Sequence, residues 1–307
     1  MADNNLIRLE RSLDAMGTTY TIAAYGTDRF AIDSALESAF EEAVRLDGLL
    51  SNYRADSEWS KVNREAASGP VQVSEELFAL LERCQAYSKA SEGAFDITVG
   101  PLMKIWGFYK QDGRIPHRAE IRQALSRIGW RNIVLDPAAR TVKFTKPIEM
   151  DPGGIGKGYA VDRMIDVLKK QGIQRALISA GRSSIYGLGA PPSEPRGWRV
   201  LIPDPRDQRK TAAEVYLRNE SMSTSGSSEK FFMAGGKVYS HIMDPRTGYP
   251  AQGILAVSVI APKTIDSEAW TKPFFVLGRH WAARNRPRDF KVFLCEDRLE
   301  TACAFLP

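Results

Sequence analysis

The stretch from Asp151 to Gly181, "DPGGIGKGYAVDRMIDVLKKQGIQRALISAG", contains a loop, a helix and a strand in immediate succession. Its first residues are rich in glycine, which suits a loop. Apolar residues then recur at the spacing of one buried helix face: Val161, Ile165 and Leu168. Gly172 predicts the end of this helix, and the run from Arg175 to Ser179 predicts a strand. A loop, helix and strand in this order usually form a right-handed α/β unit.

Three helices and a hairpin are predicted upstream of this stretch. The segment from Phe30 to Leu50 carries apolar residues at steps of four: Ile32, Leu36, Phe40 and Val44. A second helix is predicted from Glu75 to Ser91 with Ser74 as its N-cap, and a third, "AEIRQALSRIG", is closed by Gly129. The runs "NIVLD" and "TVKFT", separated by "PAAR", predict a hairpin.

Strands predominate downstream. They are predicted around Trp198 to Pro203 and Ala213 to Arg218, in "LAVSVIA" and in "KVFLC", with a helix from Asp266 to about Leu277 between the last two. Because strands and helices do not alternate strictly, we predict an α+β fold with a largely antiparallel mixed sheet and packed helices. We assign residues 5–307 to a single domain or to two intimately joined lobes.

The composition is that of a globular protein and excludes a disordered or fibrous one. The chain has 307 residues, of which 43% are hydrophobic and 26% charged. Its net charge of +5 is compatible with a small phosphate-bearing ligand. Lysines and arginines are interleaved with acids, without a run of five basic residues. We therefore expect no nucleic-acid partner.

The three cysteines and the N-terminal residues carry little functional signal. Cys84, Cys295 and Cys303 match no zinc spacing and leave one cysteine over in any disulfide scheme, so we expect them to be buried or incidental. The segment "MADNNLIRLERSLDAMG" has no basic n-region, long apolar run or small-residue cleavage site. We expect the chain as given not to be exported or inserted.

The glycine-rich run "GGIGKG", 153–158, can be a phosphate-binding loop or simply the loop before a helix. It fails the Walker A pattern, which needs Ser or Thr after the lysine, and it fails the dinucleotide fingerprint. Lys157 at the start of a helix opposes the helix dipole unless an anion compensates it.

Three further segments carry candidate functional groups. "YSHIMDPRTGYP", 239–250, is either a solvated turn or a site, and it holds His241, the best candidate for proton transfer among three histidines. In "SEGAFDITVGPLMKIWGF", Asp96 is either an N-cap or a ligand group. In "TIDSEAWTKPFFVLG", Asp266 and Glu268 either complement the helix dipole or hold Mg²⁺ beside a substrate phosphate.

These motifs, with "AMGTTY", "LSNYRADSEWSKVN" and "STSGSSEKFF", stand in an order that closely resembles the ApbE family of FAD:protein FMN transferases. The resemblance covers the chain from about Leu13 to Gly278 and is most specific in "HIMDPRTG" and "GGIGKGYAVD". It implies an ApbE-like, T-fold-like architecture. It also implies that FAD, as substrate, is cleaved with Mg²⁺ and that FMN passes to a threonine of an acceptor protein as a phosphoester, releasing AMP.

The resemblance also implies residue roles. Its FAD-site residues are Met16, Tyr53, Ala94, Phe95, Asp96 and Lys157. Its catalytic residues are His241 and Asp244, with Thr247 nearby. Its metal donors are the Ala160 carbonyl and Glu268, which stands where the family usually has Asp, with Asp266 or Thr271 as alternatives because Lys272 replaces the usual Thr.

Two other functions remain open on the sequence. One is an FAD pyrophosphatase, which would give FMN and AMP without an acceptor, and the other is an FAD-binding protein with little catalysis. The resemblance further implies a periplasmic or cell-envelope location, with membrane association only through an N-terminal lipoprotein signal, which is not seen in the sequence given.

Overall fold

The computed structural model describes residues 5–110, 112–227, 230–298 and 302–307. Its helices are α1 Arg29–Leu50, α2 Glu58–Glu65, α3 Glu75–Ala90, α4 Gly100–Ile105, α5 Arg118–Ser126, α6 Gly156–Lys170 and α7 Thr264–Asn285. Its strands are β1 Ile7–Ala15, β2 Thr18–Gly26, β3 Val71–Gln72, β4 Ile133–Asp136, β5 Thr141–Phe144, β6 Arg175–Ala180, β7 Ser184–Leu188, β8 Trp198–Pro203, β9 Thr211–Leu217, β10 Glu220–Gly226, β11 Phe231–Ala234, β12 Lys237–Ser240, β13 Met243–Asp244, β14 Tyr249–Pro250, β15 Ile254–Ala261, β16 Lys291–Glu296 and β17 Ala302–Phe305. Among the described residues, every helix is too short or too polar to span a lipid bilayer.

Eight strands form the central sheet in the order β1-β2-β6-β7-β10-β15-β16-β17. Every neighbouring pair in it is antiparallel. The predicted α+β class with a largely antiparallel sheet is therefore confirmed. The expectation of a right-handed α/β unit at 151–181 is wrong, because β6 runs antiparallel to both of its neighbours, β2 and β7.

Helices α1, α6 and α7 pack together and against the sheet, burying one large apolar core. In α1 the predicted face is buried at Ile32, Leu36 and Phe40, but Val44 is 53% exposed. A repeat of four residues drifts around a helix of 3.6 residues per turn, so a fourth position leaves the core. In α6 all three predicted core residues are buried.

The hairpin β8–β9 covers the opposite face of the sheet and closes a second apolar cluster. This cluster includes Cys295, which forms a disulfide with Cys303 across the β16–β17 pair. We expected the cysteines to be buried or incidental. Cys295 is buried, but its bond to Cys303 gives both a structural role that this expectation did not include, since the register places them directly opposite each other. Cys84 is free and buried, as expected.

Most predicted boundaries are close to the observed ones. Ser74 caps α3 by accepting a hydrogen bond from the Leu77 amide. Helix α5 ends earlier than predicted, at Ser126. Gly129, whose φ is 123°, instead precedes a short 3₁₀ turn. Helix α7 runs past Leu277 and continues beyond a kink at Gly278.

Candidate active site

A cavity of about 520 Å³ opens where the glycine-rich loop, the β1–β2 turn, the segment before α4, the segment 241–245 and α7 meet. Its volume is typical of small-molecule sites. Eight of the predicted site residues line it: Met16, Tyr53, Ala94, Phe95, Asp96, Lys157, His241 and Glu268. Five lie outside its lining: Ala160, Asp244, Thr247, Asp266 and Thr271.

The β1–β2 turn brings Met16 to the cavity at a conformational cost. The two-residue turn has Met16 at φ 51° and Gly17 at φ 70°, a pair of left-handed residues that matches the twist of a tight hairpin. A left-handed methionine is unfavourable, and such strain is concentrated at functional sites. The Tyr20 hydroxyl lies 3.3 Å from the Met16 sulfur and helps to hold it.

The glycine-rich loop is held by side chains at both ends. Asp151 accepts a hydrogen bond from the Gly153 amide at 2.6 Å and another from the Tyr109 hydroxyl. Burial raises the pKa of Asp151, and the hydrogen bonds from Tyr109 and Gly153 oppose that rise. At the other end, the Gly158 amide donates to Glu268 Oε2. These contacts fix the loop that carries Lys157.

Glu268 is the best candidate for a metal ligand. Its side chain is 2% exposed, and its Oε1 is buried without a hydrogen-bond partner among the described residues. Mg²⁺ is usually held by one or two carboxylates together with substrate phosphates and water. One open carboxylate oxygen on the wall of a cavity fits that donor set. Within the described residues, no cluster of three or more His, Cys, Asp or Glu offers a complete protein cage.

Two of the other predicted metal donors, Asp266 and Thr271, have protein partners. Asp266 accepts hydrogen bonds from Arg83 at 2.7 Å and from the Tyr87 hydroxyl, and so it faces α3. The Thr271 hydroxyl donates to the Glu268 carbonyl at 2.7 Å and lies 2.8 Å from Ser225 Oγ. Ala160 is fully buried in α6. None of the three lines the cavity.

His241 lies among positive charges. Burial lowers its pKa to about 4, and Lys272, Lys230 and Lys157 contribute further to that decrease. All four residues line the cavity. His241 Nδ1 lies 3.2 Å from the Lys230 carbonyl, which can only accept, so Nδ1 carries the proton and Nε2 keeps a free lone pair. At neutral pH the ring is therefore uncharged and able to accept a proton.

The other residues of the 241–250 loop make contacts that hold the loop in place. Asp244 is 8% exposed and forms a two-point ion pair with Arg246, at 2.9 and 2.8 Å. Thr247 is exposed and accepts a hydrogen bond from the Tyr249 amide at 3.3 Å. The Trp106 indole nitrogen donates to the Gly248 carbonyl at 2.9 Å and ties the loop to α4. The geometry thus brings His241 to the cavity and places Asp244 behind it.

Asp96 lines the cavity while its carboxylate braces the surrounding backbone. It accepts hydrogen bonds from the Thr98 amide and hydroxyl, at 2.8 and 2.7 Å, and from the Trp130 amide at 2.9 Å. Burial raises its pKa, and these hydrogen bonds oppose the rise. Asp96 therefore both caps the neighbouring backbone and lines the cavity, so the two interpretations are compatible.

The cavity residues missed from the sequence include Lys230, Asp151 and Tyr109. Lys230 directly precedes a short hairpin that has no strong sequence signal. Asp151 stands at the start of the glycine-rich loop, where Asp before Pro-Gly is a recognisable capping signal. The pairing with Tyr109 depends on tertiary structure alone.

A family model describes this combination of motifs and fold. The model of the ApbE family matches residues 16–293. The chain belongs to the ApbE family. The resemblance of its motifs to that family is thus confirmed.

Two curated ApbE relatives carry the same functional name. An FAD:protein FMN transferase of Klebsiella pneumoniae (strain 342) is 31% identical over 304 residues, covering 97% of this chain and 92% of the relative. One from Treponema pallidum (strain Nichols) is 33% identical over 279 residues, covering 86% of this chain and 77% of the relative.

Solved ApbE structures share the fold. The ApbE protein of Thermotoga maritima superposes with a TM-score of 0.88 at 29% identity, covering 97% of this chain and 96% of that one. The apo form of the flavinyl transferase ApbE of Pseudomonas stutzeri has a TM-score of 0.85 at 27% identity, covering 99% and 96%. The predicted ApbE-like architecture is therefore confirmed.

Proposed function

We propose that this ApbE protein is an FAD:protein FMN transferase that cleaves the pyrophosphate of FAD, attaches FMN to a threonine of an acceptor protein and releases AMP. The names of its curated relatives support this activity. The observation that carries the proposal is the convergence on one cavity of a neutral histidine, several lysines and a carboxylate with an open oxygen. Phosphoryl transfer depends chiefly on positioning and charge neutralisation, which such groups supply.

The cavity has an apolar part, which suits the ring system of the flavin, and a cationic part, which suits the diphosphate. Met16, Phe95 and Tyr53 offer surfaces for an aromatic ring system, and Tyr53, at 84% exposure, lies at the rim. Lys157 stands at the start of α6, where the backbone amides and the helix dipole also favour an anion. We place the diphosphate between this helix start and α7.

His241 is the proposed proton acceptor. The threonine oxygen forms a bond to the FMN phosphorus while the bond from that phosphorus to the bridging oxygen breaks. The electron pair leaves with AMP, and the hydroxyl proton passes to His241 Nε2. The low pKa of His241 keeps Nε2 unprotonated before the reaction. Asp244 acts through the backbone of the loop, since its carboxylate is paired with Arg246.

Glu268 would hold Mg²⁺ through Oε1, together with oxygens of the diphosphate. The cation, when bound, neutralises charge on the phosphates and on the leaving group. The Gly158 amide, bonded to Oε2, holds the carboxylate in place. The Ala160 carbonyl, which the family resemblance implies as a further donor, belongs to the residue two positions after Gly158 in α6.

The function is tested by incubating the protein with FAD, Mg²⁺ and a threonine-containing acceptor peptide and then searching by mass spectrometry for the peptide plus FMN. AMP is measured in parallel, with and without peptide. FMN on the peptide with matching AMP supports the transferase. AMP released at the same rate without peptide identifies a pyrophosphatase. FAD binding with no AMP under either condition identifies a flavin-binding protein.

A further inference from the structure

The cavity contains three lysines from three separate parts of the chain. Lys157 comes from the first turn of α6, Lys230 precedes β11, and Lys272 lies in the first half of α7. Each is close enough to His241 to lower the pKa of that ring. Three converging ammonium groups form a positive field in a partly enclosed space, where screening by solvent is reduced.

Lys272 is held close to the candidate metal ligand. Its ammonium group donates to the Glu268 carbonyl at 3.2 Å, and the Thr271 hydroxyl donates to the same carbonyl. The ammonium group is therefore anchored on the helix that also carries Glu268. A cation approaching Glu268 Oε1 before any anion is bound would be repelled by Lys272.

We propose that Lys272 acts with Lys157 and Lys230 as a direct ligand of the FAD diphosphate, so that FAD binds tightly without a divalent cation and the cation serves transfer only. This inference rests on the proposed function, because it takes FAD as the ligand. The diphosphate bridge carries two negative charges at neutral pH, and the ammonium groups of Lys157, Lys230 and Lys272 can pair with them. Binding of the anion removes the field that repels Mg²⁺ from Glu268, so the metal enters with FAD already in place.

The experiment measures FAD affinity by quenching of flavin fluorescence, once in EDTA and once in excess Mg²⁺. It compares the wild type with Lys272→Met, which keeps the length and removes the charge, and Lys272→Arg, which keeps the charge. Lys61→Met, an exposed lysine of α2, is the matched control. Riboflavin, which has no phosphate, is titrated in parallel to show that the flavin part of the cavity is intact in each variant.

We expect the FAD dissociation constant of the wild type to differ by less than about threefold between EDTA and Mg²⁺. Removing a charge-assisted contact to phosphate should weaken FAD binding to Lys272→Met in EDTA by about tenfold or more. Its riboflavin affinity should be unchanged. Lys272→Arg should retain most of the FAD affinity, and Lys61→Met all of it.

Two results would overturn the inference: wild-type FAD binding that tightens tenfold or more with Mg²⁺, or Lys272→Met that binds FAD in EDTA as the wild type does. The proposed function fails differently. If FAD binds tightly in EDTA and this binding depends on Lys272, but no FMN appears on the acceptor peptide, the transferase function is contradicted and the inference about Lys272 is supported. If the protein transfers FMN but binds FAD only in the presence of Mg²⁺, the transferase function is supported and the inference about Lys272 is contradicted.

Discussion

The backbone amide of Gly158 donates a hydrogen bond to Glu268 Oε2, joining residues 110 positions apart in the chain. The contact brings the start of α6 against the first half of α7. A Cβ atom at position 158 would lie 2.5 Å from the Thr264 carbonyl oxygen and 2.9 Å from Glu268 Oε2. The close approach of the two helices, and so the orientation of Glu268, requires glycine at this position.

Gly158→Ala should destabilise the protein, because the added methyl group meets backbone that cannot move independently of α7. We expect a loss of about 1–3 kcal/mol in the free energy of unfolding, the usual cost of overpacking. Urea denaturation measures it. Gly48→Ala in α1 is the control, since nothing lies within 4 Å of its Cβ position, and it should be neutral or stabilising by up to about 1 kcal/mol. Equal effects of the two substitutions would contradict the steric argument.

Glu268→Gln should separate the metal-binding role of this residue from its packing role. The amide can still accept from Gly158, but it lacks the negative charge that holds a divalent cation. We expect FMN transfer to fall at least about a hundredfold, the scale of losing an electrostatic stabiliser of the transition state. Binding of Mn²⁺ in the presence of FAD, followed by electron paramagnetic resonance, should be lost as well.

Asp266→Asn is the matched control for Glu268→Gln. Asp266 lies in the same helix but is bonded to Arg83 and Tyr87, outside the lining of the cavity. Its replacement should leave Mn²⁺ binding intact and reduce stability only. If Asp266→Asn abolished Mn²⁺ binding while Glu268→Gln retained it, the assignment of the metal ligand would have to be reversed.

The sequence predicted elements with a strong local signal and missed contacts that depend on tertiary structure. Helix α3 has a capping serine and α6 has a regular apolar face, and both lie where expected. The direction of β6 relative to its neighbours could not be predicted from local pattern, because an antiparallel sheet with helical excursions shares the loop, helix and strand order of a parallel one.

The candidate site was predictable only where a residue belongs to a motif. His241 and Lys157 stand in the two most specific family motifs, and both line the cavity. Asp266 has the right chemistry for a metal ligand, yet helix geometry turns it toward α3, away from Glu268 two positions later. Residues at i and i+2 of a helix do not share a face. Lys230 gave no sequence signal, because a lysine before a short hairpin is ordinary surface composition.

The thiol chemistry of the chain should reflect one disulfide and one protected cysteine. Cys84 is 1% exposed, and burial raises the pKa of its thiol to about 12, so little reactive thiolate forms at neutral pH. Titration with a thiol reagent should detect no reactive group in the native protein and one after denaturation. Denaturation with prior reduction should expose all three cysteines. Three reactive thiols in the unreduced, denatured protein would show that Cys295 and Cys303 are not bonded to each other.

Asp244 and Arg246 should behave as a pair that shapes the loop behind His241. Because the pair is bidentate and the Asp244 side chain is mostly buried, Asp244→Ala should cost about 1–3 kcal/mol of stability. In a double-mutant cycle with Arg246→Ala, the two effects should be strongly non-additive. Transfer activity should fall by a similar factor in both single variants. A much larger loss of activity in Asp244→Ala than in Arg246→Ala would instead give Asp244 a direct role in the chemistry.

His241→Ala should retain FAD binding and lose FMN transfer by about 10²–10⁴-fold, the usual contribution of a general base. Flavin fluorescence measures the binding, and mass spectrometry of the acceptor peptide measures the transfer. Unchanged transfer would remove His241 from the mechanism. Lys61→Met, which alters an exposed position on α2, is the control for nonspecific loss.

The pH dependence of transfer should follow the titration of His241. The ring must be uncharged to accept a proton, and its pKa is lowered to about 4. We therefore expect kcat/KM to stay constant from neutral pH to about pH 5 and to fall as the pH decreases through 4. Bound FAD brings negative charge next to the three lysines that help to lower this pKa. The pKa of His241 should therefore rise in the complex, and kcat should decline at a higher pH than kcat/KM does. Acidic limbs of kcat and kcat/KM that coincide, or a limb that persists in His241→Ala, would contradict this assignment.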